Sequence, residues 1–141
     1  MADWLVDDSL APHTDGTLAP MYAAATAGRL VMPHCGACGQ PLELEQLRCD
    51  ACGADGLAWL TVDAYGTIHS VTTVHRREPG LIAATEPYVV VDVELASGHR
   101  LVMTTDRPTA TSPQIGAPAR IVFRDVAGVP VPSLSTAEEL P

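Results

Sequence analysis

Strict alternation of apolar and polar positions marks the second half of the chain. In "YVVVDVEL", Val89, Val91, Val93 and Leu95 fall on one side, and Asp92 and Glu94 on the other. That period of two is the pattern of a half-buried strand. "SGH" then supplies a turn and "RLVMTTD" a partner strand, which predicts a hairpin. Upstream, "WLTVDAYGTIHSVTTVHR" is rich in β-branched residues and predicts one long strand from Trp59. Gly66 in its middle marks a bulge or a sharp bend. "TATSPQIG" reads as an irregular connection. "ARIVFRDV" predicts a fourth strand with Ile121 and Phe123 inward and Arg120, Val122 and Arg124 outward. "GVPVPSLS" predicts a fifth, whose prolines suit a sheet edge. Five strands, the first bent and the fourth preceded by an irregular insert, predict a Greek-key barrel of the OB type. A split sandwich would use the same strands. Gly66 favours the barrel, because a first strand must curl there to serve both sides.

The first half has a different texture. "LAPMYAAATAGRLV", Leu18 to Val31, predicts a helix with Pro20 in its first turn, alanines in its middle and Gly28 to end it. At ~11 residues it would be marginal alone in water, so it must pack on the rest of the chain or on another one. Before it lies an acidic arm, residues 1 to about 16, whose apolar points are Trp4, Leu5 and Leu10. The arm reads as weakly ordered, yet Trp4 suggests docking on the core or on a partner. The expected organisation is therefore arm and helix over 1–31, a cysteine-bearing module over 32–58, a barrel over 59–134 and a loose tail over 135–141. The class is mainly β.

Four cysteines carry the clearest chemistry. Cys35 and Cys38 stand in "HCGACGQ", Cys49 and Cys52 in "RCDACGA", with ten residues between the pairs. Two turns that each offer two thiolates supply the tetrahedral soft-ligand set that zinc takes in structural sites. Gly39 and Gly53 follow the pairs and tolerate the positive φ that turns backbone N–H groups toward sulfur. The spacing predicts a zinc ribbon holding one structural zinc, closed by four cysteines and without an activated water. His34, beside Cys35, could compete as a ligand, but adjacent residues rarely both ligate. A disulfide reading needs an oxidising compartment. The opening "MADWLVDDSL" is acidic, wrong for a secretory or transit signal, and no stretch reaches the ~20 apolar residues of a membrane helix. The expectation is a cytoplasmic chain.

Composition changes the picture once. The 141 residues hold eight arginines, no lysine and a net charge of −9. Ribbons and small barrels often bind nucleic acid, and such binding draws on neutralised phosphates. An acidic chain without lysine lacks that footprint. A nucleic-acid-binding ribbon–barrel module remains the alternative reading, with Tyr65 its lone stacking candidate. No G-x-S-x-G elbow, phosphate loop or dinucleotide motif occurs, and the metal uses every cysteine, so no catalytic residue is assigned. His69 and His75, six apart, would share one strand face. His75, Arg76 and Arg77 open the loop "HRREPGLIAATEP", where an OB barrel binds ligands, and two adjacent arginines could grip a phosphate. They could equally pair with Glu78 and Glu86. Leu81 and Ile82 are apolar in a loop that should be polar, which suits an interface, an acyl channel or a cap on the barrel's open end.

The order of these parts resembles a known family: acyl-CoA-associated proteins with a rubredoxin-like zinc ribbon followed by an OB fold. The resemblance rests on "AGRL", "HCGACG…RCDACG", Trp59, "YGTIHSVTTVHR", "EPYVVVDVEL", "IGAPARIVF" and the terminal "VPVP", and covers residues 18 to about 134. Members commonly carry an aromatic and prolines between the cysteine pairs, as in F-P-P-R. This chain has "PLELEQLR", with Arg48 the candidate counterpart of that arginine. The resemblance implies a non-catalytic accessory subunit. It would dock on a thiolase-like or other CoA-thioester-processing enzyme, stabilise it and help shape an acyl-CoA channel. The expected partner-facing residues are Trp4, Met21, Tyr22, Leu81 and Ile82, and the expected ligand-facing ones Arg48, His75, Arg76 and Arg77. A stand-alone acyl-CoA carrier is a further alternative.

Overall fold

The computed structural model describes residues 2–76 and 78–137. Helix α1 spans Ala19–Thr26 with Pro20 in its first turn. It stops because Gly28 turns left-handed at φ +76°, its N–H donating to the Ala25 carbonyl at 2.9 Å. Gly28 thus ends the helix as expected, and its 8 residues fall short of the ~11 expected. Beyond Gly28, Leu30 drops into the core and Val31 opens strand β1, Val31–Cys35. Strand β2, Leu57–Thr61, pairs antiparallel with β1, setting Val31 opposite Thr61 and Cys35 opposite Leu57. The continuous strand expected from Trp59 is thus divided. Trp59, Leu60 and Thr61 belong to the ribbon hairpin, and a new strand, β3, begins at Tyr65 and runs to Val74.

The remaining strands are β4 Tyr88–Leu95, β5 Arg100–Thr104, β6 Pro118–Val126 and β7 Val129–Leu134. With β3 they form one sheet in the order β5-β4-β3-β6-β7. A parallel bridge between Thr105 and Leu134 and a 2.9 Å bond from the Asp106 N–H to the Leu134 carbonyl bring the two edges together. The result is a nearly closed five-stranded barrel with the OB strand order. Gly66 is the hinge. It pairs with Leu95 of β4 on one side and Ala119 of β6 on the other, and a Cβ there would sit 2.1 Å from the Glu94 carbonyl oxygen. Only glycine admits that approach. The register slips between Ile68 and Ser70, so the bulge lies at His69, three residues past Gly66. β6 and β7 join through Ala127 and Gly128, both at positive φ, as a tight two-residue hairpin turn demands.

One core serves both modules. Ile68, Val91, Val93, Leu101, Met103 and Ile121 fill the barrel, and Leu30 and Met32 enter it from the ribbon side. Val89, Val91, Val93 and Leu95 all face inward, as the alternation requires. Helix α1 lies on β1 and β7, burying Met21, Ala24 and Ala25. A buried histidine adds a polar clasp. His99, 3% exposed, donates from Nε2 to the Pro33 carbonyl at 2.8 Å and accepts from Ser97 Oγ at Nδ1 at 2.7 Å. Its ring meets His34 edge-on at 4.7 Å. Both ring nitrogens are satisfied by the neutral imidazole, so a turn of the barrel is tied to the first strand of the ribbon without burying a charge.

The amino-terminal arm is docked. Its Val6 bridges Ile82, the Asp7 N–H donates to the Leu81 carbonyl and the Ala83 N–H to the Leu5 carbonyl. The Asp3 carboxylate accepts from the Leu5 and Val6 N–H groups and from Arg124 Nε at 3.0 Å. Arg124 also donates to Ser133, and Trp4 donates its indole N–H to the Thr105 carbonyl at 3.2 Å. The weakly ordered arm of the sequence reading is held because its one buried carboxylate finds an arginine 121 residues away.

Candidate metal centre and flanking surfaces

Each cysteine pair sits in the same backbone turn. The Cys35 N–H donates to the Gln40 carbonyl and the Gly39 N–H to the Cys35 carbonyl; Cys49, Ala54 and Gly53 repeat the arrangement. Gly39 and Gly53 both adopt φ +79°, the left-handed step that lets each turn fold back on its first cysteine. Facing one another, the two turns place Cys35 Sγ 3.5 Å from Cys52 Sγ and Cys38 Sγ 3.7 Å from Cys49 Sγ. All four sulfurs lie within 4.8 Å of one another. A tetrahedron of sulfurs around zinc at ~2.3 Å has edges of ~3.8 Å, so the donor set and its spacing fit one metal ion.

The electrostatics fit too. The N–H groups of Cys38 and Ala37 point at Cys35 Sγ and pull that thiol down to about 6. The Gln40 N–H draws Cys38 down as well, but the crowding sulfurs, Cys49 first, and burial outweigh it and push that thiol up to about 12. Cys52 is raised in the same way: the Ala54 N–H lowers it, and Cys35, burial and Cys49 raise it. Four thiolates cannot crowd together uncompensated, so the cluster holds protons unless a cation replaces them. Cys35 and Cys49 are buried and Cys38 and Cys52 exposed. His34 donates from Nδ1 to the Met32 carbonyl and lies outside the sulfur cluster. This is the one group of three or more potential ligands among the described residues.

The other candidate residues disperse. Arg48 is exposed on the ribbon beside Cys49, and its carbonyl accepts from the Gln46 amide. Arg76 is exposed and ion-pairs with Glu78, and His75 lies just past the end of β3. Arg77 lies outside the described residues. His69 accepts from Arg100, which also pairs with Asp92, and the bulge beside it ends any shared strand face with His75. Met21 is buried within the chain and Tyr22 half-buried beside it. Leu81 is 42% exposed, while Ile82 is half-covered by its bridge to the arm. Trp4 packs edge-on against Tyr88, centroids 6.5 Å apart. Sequence reasoning missed His99, whose only signal was a histidine directly after a Ser-Gly turn. It also missed Asp3, whose partner no local pattern reveals. No helix among the described residues is long and apolar enough to cross a membrane.

Comparison with known proteins bears on the whole of this arrangement. Residues 59–124 match the family of the ChsH2 C-terminal OB-fold domain. The match takes in β3, β4, β5 and most of β6, and there the chain is similar to that family. A chain of the Ltp2–ChsH2(DUF35) aldolase is 26% identical, with a TM-score of 0.74, and the match covers 89% of this chain and 98% of that one. A DUF35-family protein of unknown function from Sulfolobus solfataricus shares the fold at 13% identity and a TM-score of 0.54, over 86% of this chain and 85% of that one. No curated protein matches. The likeness to the aldolase chain takes in the ribbon as well as the ChsH2-type barrel, as the resemblance read from the cysteine pairs and the strands implies.

Proposed function

We propose that this chain is a non-catalytic accessory subunit of an enzyme that processes CoA thioesters, a thiolase-like or aldolase-type partner. The observation that carries the reading is the near end-to-end likeness to a chain of the Ltp2–ChsH2(DUF35) aldolase. The site chemistry supports it. Cys35, Cys38, Cys49 and Cys52 would hold one zinc, and a metal with four protein thiolates supplies folding energy and no activated water. The chain's own residues then do mechanical work. The ribbon turns fix the β1–β2 hairpin, Leu30 and Met32 fasten that hairpin to the barrel, and the arm and the 78–83 loop present Leu10 and Leu81 outward. Docking would stabilise the partner and complete its substrate channel.

Co-expression with a thiolase-like or aldolase partner tests the reading. The complex should co-purify, the partner's turnover should rise and the isolated chain should turn over no thioester. Robust turnover by the isolated chain, or no association with either class of partner, would overturn it. Metal analysis of fresh protein should give one zinc per chain, and a Cys52→Ser variant should lose it.

A further inference from the structure

A groove of about 680 Å³ opens between the docked arm and one end of the barrel. Its walls come from four places: Trp4 of the arm, the 83–89 segment entering β4, Thr73 near the end of β3, and the 105–112 connection. The volume lies in the ~300–1,000 Å³ range of small-molecule sites. Two features make it a built site. Trp4 is fixed by its bond to the Thr105 carbonyl and its edge contact with Tyr88. The arm behind it is pinned by the Asp3–Arg124 pair and the rungs to Leu81 and Ala83.

The lining decides what fits. Its body is Trp4, Tyr88, Val89, prolines and alanines, interrupted by five hydroxyl-bearing residues, Thr73, Thr85, Thr105, Thr109 and Ser112. Glu86 is the one carboxylate, and no arginine or histidine contributes among the described residues. A phosphate-bearing ligand would meet a carboxylate and no cation among the described lining residues, in a chain of net charge −9, a poor charge match. An uncharged ligand with an apolar body and a polar carbonyl is matched wall for wall. We propose that this groove binds the uncharged acyl-thioester portion of a substrate and takes no part in holding a nucleotide. The inference rests on the subunit reading for its substrate class. It also moves ligand recognition away from Arg48, His75 and Arg76.

The test uses the full chain. Trp4 and Trp59 are the only tryptophans, so in a Trp59→Phe background Trp4 alone reports on the groove. Titration with a neutral thioester, S-octanoyl-N-acetylcysteamine, should shift and saturate Trp4 emission, and free CoA should leave it unchanged. Ala110→Trp, at an exposed loop position in the lining, should weaken thioester binding about tenfold or more by filling the space. Ala83→Trp gives an independent block, and calorimetry on the unsubstituted chain a second readout. No saturable response to the neutral thioester would overturn the proposal. Free CoA binding as tightly as the thioester, or binding that survives both fillings, would overturn it equally. Absence of thioester binding by the unsubstituted chain, with partner association intact, sinks this inference alone; thioester binding without partner association sinks the subunit reading alone.

Discussion

Met32 sits on a ribbon strand, yet it is 0% exposed and packed in the barrel's core. Met32→Ala therefore tests whether ribbon and barrel are one cooperative unit. The substitution removes three heavy atoms from a fully enclosed position in the cluster that holds Leu30, Ile68 and Val91. Truncations of this kind cost about 2–5 kcal/mol, so about 3 kcal/mol is expected here. For a chain of this size that lowers Tm by roughly 10 °C. Urea unfolding should be followed with two probes, thiol reactivity of the ribbon cysteines and far-ultraviolet dichroism of the barrel. Both transitions should move together and by the same amount. Val102→Ala, at a position 65% exposed, should move neither by more than ~0.5 kcal/mol. A shared core is refuted if the thiols of Met32→Ala protein become reactive at unchanged denaturant while the barrel transition shifts alone, or if neither transition shifts.

Three further outcomes follow from particular contacts. Asp3→Ala leaves Arg124, whose side chain is 12% exposed, without its carboxylate; a loss of about 3 kcal/mol is expected, with the arm opened to limited proteolysis, while an Asp3→Asn/Arg124→Met double variant recovers part of it. An arm as protease-resistant as before would contradict the latch. Gly66→Ala forces a Cβ into the Glu94 carbonyl, and expression should yield little folded barrel by proton NMR dispersion; a native-like spectrum would refute the close approach. Burial holds the His99 imidazole below the ordinary histidine range, against the raising effect of its bond to Pro33. Its unfolded counterpart takes a proton near pH ~6.5, so its contribution is complete above that pH and is lost as pH falls toward the folded-state value. In metal-loaded protein, His99→Gln should flatten the fall in stability below that pH in urea titrations, and an unchanged slope would remove His99 from the account.

The parts of the fold written in short-range pattern were legible. Val89 to Leu95 alternate because one face of β4 is core, the cysteine turns need local glycines, and the prolines of β7 sit at the end of the sheet's strand order. The OB order and the family likeness rest on those features. What stayed hidden depends on contacts across the chain. Nothing near Asp3 announces Arg124, and nothing near His99 announces the Pro33 carbonyl. The strand from Trp59 read as continuous because β-branched residues run straight through the break; only pairing with Val31–Cys35 assigns Trp59 to the ribbon. The end of the helix was legible as well, because Gly28 takes the left-handed step that stops it.

The Asp3–Arg124 latch also has a consequence in time. A ribosome extends a chain at about 5–20 residues per second, so the arm must wait on the order of ten seconds for its arginine to be made. The wall that Trp4 contributes is therefore the last piece set in place, after the ribbon could already have captured its metal. The nascent chain would have its cysteine turns ready for a metal before its groove has a finished side.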